Sequence, residues 1–578
     1  MSDKLSDYRR ADAPLPDRNR LWPLYGAGFE NLGRAGQPVE VTMPQYGPDE
    51  LLVRHDACGL CFSDVKVIQA GQKHPRIHRN MQAIPVVLGH EVTLTVVGVG
   101  EHLCGQYHVG DRFIVQADIY VGGVGYAYGY EIQGGLSQYN VIDQRVLNAD
   151  HGNHLIPIQP GIGYAESALT EPWTCVTTAY RLKYRTGLKP GGTTWIIGAH
   201  PSPSAYGGYT ISAGFDEFSH PAQLLLTNVP TEFAGWLRTR AEALGVEVIE
   251  VDDVTAPLPS PGARGGVDDI VLLGAYPDLI ETVSSRLADF GVLAIIADTP
   301  LPRKVKVDIG RVHYNRWLYV GGPGPDIARA YSDVPVRSEL KPGGRAWFVG
   351  AGGPMGQMHV QRAIEASDGP KTIFCTARSD RRLHVVESIY RADAETKGIA
   401  FTCVSRDNEE AYFRTLEKVG ASGFDNIVVM APDAEAIAEA ADYLALGGVM
   451  NVFAGVARGT MASLDLSGVY LKNMRFIGHS GLTIEDMRLT LSLVESGHLS
   501  PNRLVAAIGS LSAARDGLLA VKNAVFPGKI VIYPHIMDFP LTPLPDLQHK
   551  LPTVYAKLKN GREWTTEAED EFLRLVLP

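Results

Sequence analysis

Three short fragments, far apart in the chain, bring together residue types that bind and use a metal ion: CGLCFSD (58–64), GHE (89–91) and EPW (171–173). A catalytic zinc draws its ligands from Cys, His and carboxylates. Taken singly, each fragment has a plainer reading. Cys58 and Cys61 have the spacing of a redox pair, His90 suits a core, and Glu171 suits a helix cap. A thioredoxin-like redox pair needs a βαβ unit around it, and the residues around Cys58 do not read as one.

A second chemical signal lies in WFVGAGGPMGQMHVQRAIEAS. A strand runs into Gly350, Gly353 and Gly356, with Pro354 and Met355 between the last two, and a helix follows. Such a turn lets a pyrophosphate approach bare amides at a helix N-terminus, where the dipole favours negative charge. The G-x-x-G-x-x-G spacing is one residue off the commonest fingerprint, and the plainer reading is a structural tight turn. The next strand, Thr372 to Thr376, is followed by Ala377, Arg378, Ser379, Arg381 and Arg382. An NAD site usually offers an acid there, for the ribose 2′-hydroxyl. Guanidinium groups suit a 2′-phosphate instead, although Asp380 sits among them. The reading is NADP, with NAD as the alternative and surface arginines as the plain one.

The elements that must position these groups follow from the pattern along the chain. From about 38 to 160, short β-rich runs separated by Gly, Pro and Asp turns predict a compact, barrel-like β domain. A helical stretch, YAESALTEPWTCVTTAYRL, comes next, and then strands alternate with helices. This α/β region repeats itself. LKPGG occurs at 188–192 and at 340–344, an offset of 152. GVDDIVLLGA (266–275) echoes GFDNIVVMAP (423–432), and VDIGRVHYNRWLYVGGPG (307–324) echoes LDLSGVYLKNMRFIGHSG (464–481), both at 157. Two tandem parallel sheets, covered by helices on both faces, are expected. In the first copy Gly198 matches Gly350, but Pro201 and Ser204 replace the next two glycines, and TNVPTEF lacks a basic cluster. That copy is expected to have kept its fold and lost its ligand.

The boundaries drawn are a loosely ordered lead-in over 1–35, a β domain from 36–185 and 501–578, a degenerate copy over 186–335 and a cofactor-binding copy over 338–500. GKIVIYP is expected to return to the β domain.

Composition bounds the function. The 578 residues are 45% hydrophobic, with a net charge of −11. That excludes large-scale disorder and argues against nucleic acid as a partner. Six cysteines are too few for a disulfide scaffold. No apolar run reaches the ~18 residues of a membrane span, and the polar N-terminus is no secretory signal. A cytoplasmic setting is expected.

The order and surroundings of these fragments resemble the zinc-dependent medium-chain dehydrogenases, the group of alcohol, sorbitol and threonine dehydrogenases. The likeness covers about 38–200 and 338–538, which leaves the first α/β copy as an insertion. It implies a GroES-like β-barrel catalytic domain with tandem Rossmann-like doubly wound domains. GLCFSD is similar to the segment carrying the first zinc cysteine, which makes Cys61 the ligand and Cys58 a bystander. GHEVTLTVVGVG resembles the family's GHE signature, with Leu94 in place of its middle glycine; LTEPW resembles the EP motif of polyol dehydrogenases. The implied ligands are Cys61, His90, Glu91 and Glu171, with one carboxylate exchanging with water. Asp64 would orient His90, and Ser63 matches the hydroxyl that relays the substrate proton. Lys66 stands where the family often has a relay His, and no cysteine quartet follows GDRF, so one catalytic zinc and no structural zinc are expected. CTARSDRRL resembles the TARSxRRL segment of NADPH-using ketose reductases, with Ala377, Arg378 and Arg382 at the phosphate-contact positions.

The resemblance implies hydride transfer between NADP(H) and a secondary alcohol or ketone of a sugar, polyol or sugar phosphate. The alternatives are a lyase or epimerase with bound nicotinamide and no net redox change, and a non-enzymatic relative. In the loop 71–82, Lys73, His74, Arg76, His78 and Arg79 suit a phosphate or acidic sugar, or else simply face solvent. The family's subunits commonly pair through their cofactor domains. The first copy is therefore expected to replace a partner subunit, with LYVGG (318–322) beside RFIGH (475–479) in one continuous sheet. A higher oligomer is compatible with this.

Overall fold

The computed structural model describes residues 4–198, 208–258, 265–332 and 338–578. They divide into two units, Met1–Thr177 with Gly481–Pro578, and Thr178–Ser480.

The first unit is built on an eight-stranded sheet. Its order is Leu155–Pro157, Arg112–Val115, Glu91–Val99, Leu51–Gly59, Lys529–Tyr533, Val505–Ser510 and Thr542–Pro543, with Tyr139–Ile142 also paired to Leu51–Gly59. All neighbours are antiparallel except Val505–Ser510 and Lys529–Tyr533. Strand Leu51–Gly59 is buried at every position, because it is central and covered on both faces. GKIVIYP does return here: Val531 pairs with Gly59 and Ile532 with Cys58. The lead-in is more ordered than its polar composition suggested. Arg18–Leu21 pairs with Val39–Thr42, and buried Trp22 donates from Nε1 to the Leu511 carbonyl at 2.6 Å. The C-terminal segment is also built in. Glu569 accepts from the amides of Tyr164 (2.5 Å) and Ala165 (2.8 Å) and from the Tyr533 hydroxyl (2.8 Å). It thereby caps the helix that precedes Glu171. The helix Ile484–Glu495 packs Met487 and Leu491 on Ile114 and Ile156.

The second unit holds two six-stranded parallel sheets. The first runs Glu247–Glu250, Gln223–Thr227, Thr193–Gly198, Val267–Leu273, Leu287–Ile296, Leu318–Gly322; the second runs Ala400–Ser405, Thr372–Ala377, Arg345–Val349, Phe424–Val429, Leu444–Val452, Arg475–Gly478. In chain order each is 3-2-1-4-5-6, the doubly wound dinucleotide-binding arrangement. The duplication extends to single hydrogen bonds. Trp195 Nε1 donates to Thr227 Oγ1 at 2.9 Å, and Trp347 Nε1 donates to Thr376 Oγ1 at 2.9 Å. Lys189 Nζ meets Asp268 Oδ1 at 2.5 Å, and Lys341 Nζ meets Asp425 Oδ1 at 2.5 Å.

The two copies touch through equivalent surfaces. Val305–Asp308 pairs antiparallel with Met461–Leu464, and the register is reciprocal: Val305 faces Leu464, while Val307 faces Ala462. The edge strands Leu318–Gly322 and Arg475–Gly478 are close neighbours. A Cβ on Gly321 would lie 2.6 Å from Tyr470 Cβ, and one on Gly478 would lie 2.6 Å from His313 Cα. Gly321 and Gly478, like His313 and Tyr470, are 157 positions apart, so each copy makes the same contact on the other. This is the self-complementary pattern of a two-fold interface. The expected continuous sheet is not formed: among the described residues no ladder joins the two edges. The helix before each edge strand packs over the opposite edge, Ser467–Leu471 on Leu318–Gly322 and Ile309–Tyr314 on Arg475–Gly478. The edges are covered by helices rather than paired.

Candidate functional site

The helix Phe62–Ala70 begins at Cys61, whose amide donates to Asp64 Oδ2 at 2.9 Å. The Ser63 amide in turn donates to Cys61 Sγ at 3.5 Å. This capping box fixes the Cys61 side chain at the helix start. Asp64 does double duty, because its Oδ1 also lies 3.1 Å from Nδ1 of His90. With Nδ1 facing a carboxylate, Nε2 is the nitrogen left to bind a metal. Burial opposes charge on His90, but Asp64 and Cys61 hold its pKa well above the ordinary imidazole value. Strand Glu91–Val99 starts one residue later, so the chain delivers His90 and Glu91 together.

Donor atoms of Cys61, His90 and Glu91 all lie within 4.8 Å of one another. Glu171 lies outside that trio, close enough to feel His90 and Glu91. Burial pushes its carboxyl up to about 7, against the pull of His90 and with Glu91 adding to the rise. Buried Cys58 is not part of the group; its thiol points to the Gly59 carbonyl at 3.5 Å, and burial raises its pKa.

Lys529 was missed in the sequence. It is buried, and its Nζ donates to Glu91 Oε1 at 2.5 Å and to the Leu60 carbonyl at 3.0 Å. Burial opposes its charge, yet the Glu91 carboxylate holds its pKa above the ordinary lysine range. Glu91 Oε2 is buried and has no hydrogen-bond partner among the described residues. An orphaned carboxylate oxygen beside a thiol and an imidazole with a free nitrogen fits a divalent zinc.

The basic loop is split by the fold. Glu131 occupies Arg79, accepting from Nε at 2.9 Å, and also accepts from the His78 amide at 2.7 Å. His78 Nε2 faces the Gly125 carbonyl at 3.0 Å. Arg76 pairs with Asp118 and donates to the Tyr120 hydroxyl at 3.1 Å. Lys73 is exposed.

In the second unit, Gly350 has φ +92° and Gly353 caps the helix Pro354–Glu365, with Pro354 at its first position. A Cβ on Gly353 would meet only the Gly350 carbonyl oxygen, at 3.8 Å, so space remains over the helix start. One on Gly356 would fall 2.4 Å from that same oxygen, so glycine is needed for the turn to close. Met355 and Gly356 stand in the first turn, where amides lack intrahelical partners. Thr372–Ala377 ends beside this turn, and Ser379 Oγ caps the helix Asp380–Thr396 by accepting from the Arg382 amide at 3.4 Å. A Cβ on Gly352 would lie 2.9 Å from Arg382 Cβ and 3.5 Å from Ala377 Cβ, which places these residues against the glycine turn. Among the described residues Arg378 forms no ion pair; burial, then Arg381, lower the Arg382 pKa. The Arg378 guanidinium at this strand end fits a 2′-phosphate. In the first copy Asn228, Val229 and Pro230 follow the matching strand, and a Cβ on Gly198 would fall 1.9 Å from the Asn228 carbonyl oxygen. Pro201 and Ser204 lie outside the described residues.

Residues 47–149 match the alcohol dehydrogenase GroES-like domain. The chain is 28% identical over 354 residues to the mannitol-1-phosphate 5-dehydrogenase of Aliivibrio fischeri, covering 57% of this chain and 82% of that one. It is 29% identical over 233 residues to the L-sorbose 1-phosphate reductase of Klebsiella pneumoniae, covering 40% and 55%. Among solved structures, 2R,3R-butanediol dehydrogenase from Bacillus subtilis is 15% identical with a TM-score of 0.48, covering 89% of this chain and 99% of that one. Among the described residues no helix is long and apolar enough to cross a membrane.

Proposed function

We propose that the chain is a zinc-type medium-chain dehydrogenase that transfers hydride between NADP(H) and a secondary alcohol or ketone of a sugar, polyol or sugar phosphate. The observation that carries this reading is the convergence of Cys61, His90 and Glu91 within 4.8 Å, with Asp64 on the far nitrogen of His90.

Cys61, His90 and Glu91 would hold zinc, with Glu171 as the further carboxylate that gives way to water or substrate. Zinc held there supplies Lewis acidity to a carbinol or carbonyl oxygen. Asp64 fixes the His90 ring and its tautomer. Lys529 neutralises Glu91 and holds Oε1, so that Oε2 is the oxygen left to bind. Ser63, at the start of the same helix as Asp64, would hold and pass the substrate proton. In the second copy, the turn at Gly350, Gly353, Pro354, Met355 and Gly356 would seat the pyrophosphate, and Ala377, Arg378, Ser379 and Arg382 the 2′-phosphate. The bound nicotinamide supplies the hydride chemistry. NAD remains the alternative cofactor. We further read the first copy as a partner subunit fused into the chain. The reciprocal contacts Gly321–Tyr470 and Gly478–His313 support this, and tethering raises the local concentration of the paired surface.

The test is turnover. Zinc-loaded protein with NADP should reduce the cofactor on a panel of polyols and polyol phosphates. No cofactor turnover with any secondary alcohol or ketose of the panel, in either direction, would remove the reading.

A further inference from the structure

Beside the metal-ligand group lie cations that the metal chemistry does not use. His90 stacks obliquely against Tyr130, ring centres 6.1 Å apart, and Tyr130 against His74 at 5.2 Å. This line of rings leads from the ligand group to the loop that follows the helix Phe62–Ala70. His74 Nδ1 accepts from the Arg76 amide at 3.3 Å, which ties the two residues into one turn. Lys66 projects from the helix one turn beyond Ser63; it is exposed, and among the described residues it forms no ion pair. Lys66 and Arg76 both lie near enough to His74 to add to the effect of burial, which lowers its pKa.

The charges at this end do not cancel. Glu131 consumes Arg79, and Asp118 takes part of Arg76 while holding its guanidinium in place beside Tyr120. Lys66 is left as a cation with no carboxylate of its own, next to one partly satisfied guanidinium and one imidazole. A neutral polyol gives an uncompensated lysine nothing that water does not give. A phosphate monoester offers a dianion and three acceptor oxygens, and charge-assisted bonds to such groups are the strong ones. The two ring-to-ring steps also set a spacing. A substrate anchored here with its carbinol at the metal ligands must carry several carbons between the two ends.

We propose that Lys66, His74 and Arg76 form a phosphate subsite, and that the substrate is a phosphate monoester of a polyol or ketose, held by its phosphate here and by its reacting oxygen at Cys61, His90 and Glu91. The proposal rests on the dehydrogenase reading for the reacting end only. Lys66 is then a substrate-binding residue, not a replacement for a proton relay.

Binding, measured apart from turnover, separates the two. Titration calorimetry on the full chain uses D-mannitol 1-phosphate, D-mannitol and inorganic phosphate as probes, with the parent, Lys66→Ala, Lys66→Arg and Arg76→Lys. The parent should bind the ester at least about tenfold more tightly than the hexitol, as expected for one charge-assisted contact. Lys66→Ala should collapse that ratio, Lys66→Arg should keep most of it, and Arg76→Lys should reduce it. Inorganic phosphate should compete with the ester in the parent and lose its effect in Lys66→Ala; competition that survives there places the anion elsewhere and overturns the proposal. Equal affinity for ester and hexitol in the parent, or a preference untouched by Lys66→Ala, also overturns it. A preserved ratio without cofactor turnover would keep the subsite and remove the dehydrogenase reading; turnover with no preference would do the reverse.

Discussion

Lys529 Nζ lies 2.5 Å from Glu91 Oε1, and both side chains are shut off from water. The two residues are 438 positions apart, so a strand far along the chain, Lys529–Tyr533, supplies the counter-charge for the carboxylate of GHE.

Breaking that pair strands a charge. Lys529→Met should destabilise the chain by about 3–5 kcal/mol, because Glu91 is left ionised and uncompensated. Adding Glu91→Gln should recover most of the loss. Denaturant midpoints for both singles and the double check this; additive losses would show that the two residues do not act as a pair.

The contact between the α/β copies predicts an asymmetry between two glycines. A methyl group at Gly478 would press on His313 Cα and the Val312 carbonyl, both at 2.6 Å. Gly478→Ala should cost about 1–3 kcal/mol through overpacking. Gly235 sits within the helix Thr231–Leu244 with nothing within 4 Å of an added methyl, so Gly235→Ala should stabilise by about 0.4–1 kcal/mol. Effects of equal sign in the unfolding midpoints would contradict the packed contact.

Cofactor choice is tested at the end of the strand Thr372–Ala377. Arg378→Ala with Arg382→Ala should weaken NADPH by about 1.5–3 kcal/mol for each charge-assisted bond lost, and NADH little. Direct binding titrations of both nucleotides decide it. Equal losses would mean that these arginines do not read the 2′-phosphate.

Stability should depend on pH through Glu166. Burial, with Glu569 nearby, pushes its carboxyl up to about 7, from about 4.3 in an unfolded chain. Between these values the folded state binds the extra proton, so this contribution is present at low pH and is lost as pH rises toward 7. Glu166→Gln removes the titration. Its advantage over the parent should be near zero at about pH 4 and grow to the order of 1–3 kcal/mol by about pH 8. A difference that stays constant with pH would contradict the assignment.

Features carried by local sequence were legible in it. GHE delivers His90 and Glu91 from adjacent positions, and the repeat offsets announced two equivalent sheets before any strand was paired. Features that depend on distant charges were not legible. Five basic residues within seven positions, 73–79, gave no sign that Glu131 would consume Arg79 or that Asp118 would hold Arg76. Nothing around Lys529 marks it as the partner of Glu91, since the pairing follows from strand order, not from spacing. The polar lead-in hid Trp22, whose indole is buried under the Leu511 carbonyl. The sheets were expected to fuse because both edge strands recur in the repeat. The helices before them, equally repeated, take that position instead.

The central claim is that zinc at Cys61 and His90 carries a nicotinamide-linked redox reaction. Zinc content and NADP-linked turnover, measured on the same preparations of the parent, Cys61→Ser, His90→Ala and Cys58→Ser, test it most directly. The account predicts stoichiometric zinc with turnover in the parent and in Cys58→Ser, and loss of both in Cys61→Ser and His90→Ala. Equal loss in all three variants, or turnover that survives without the metal, would contradict it.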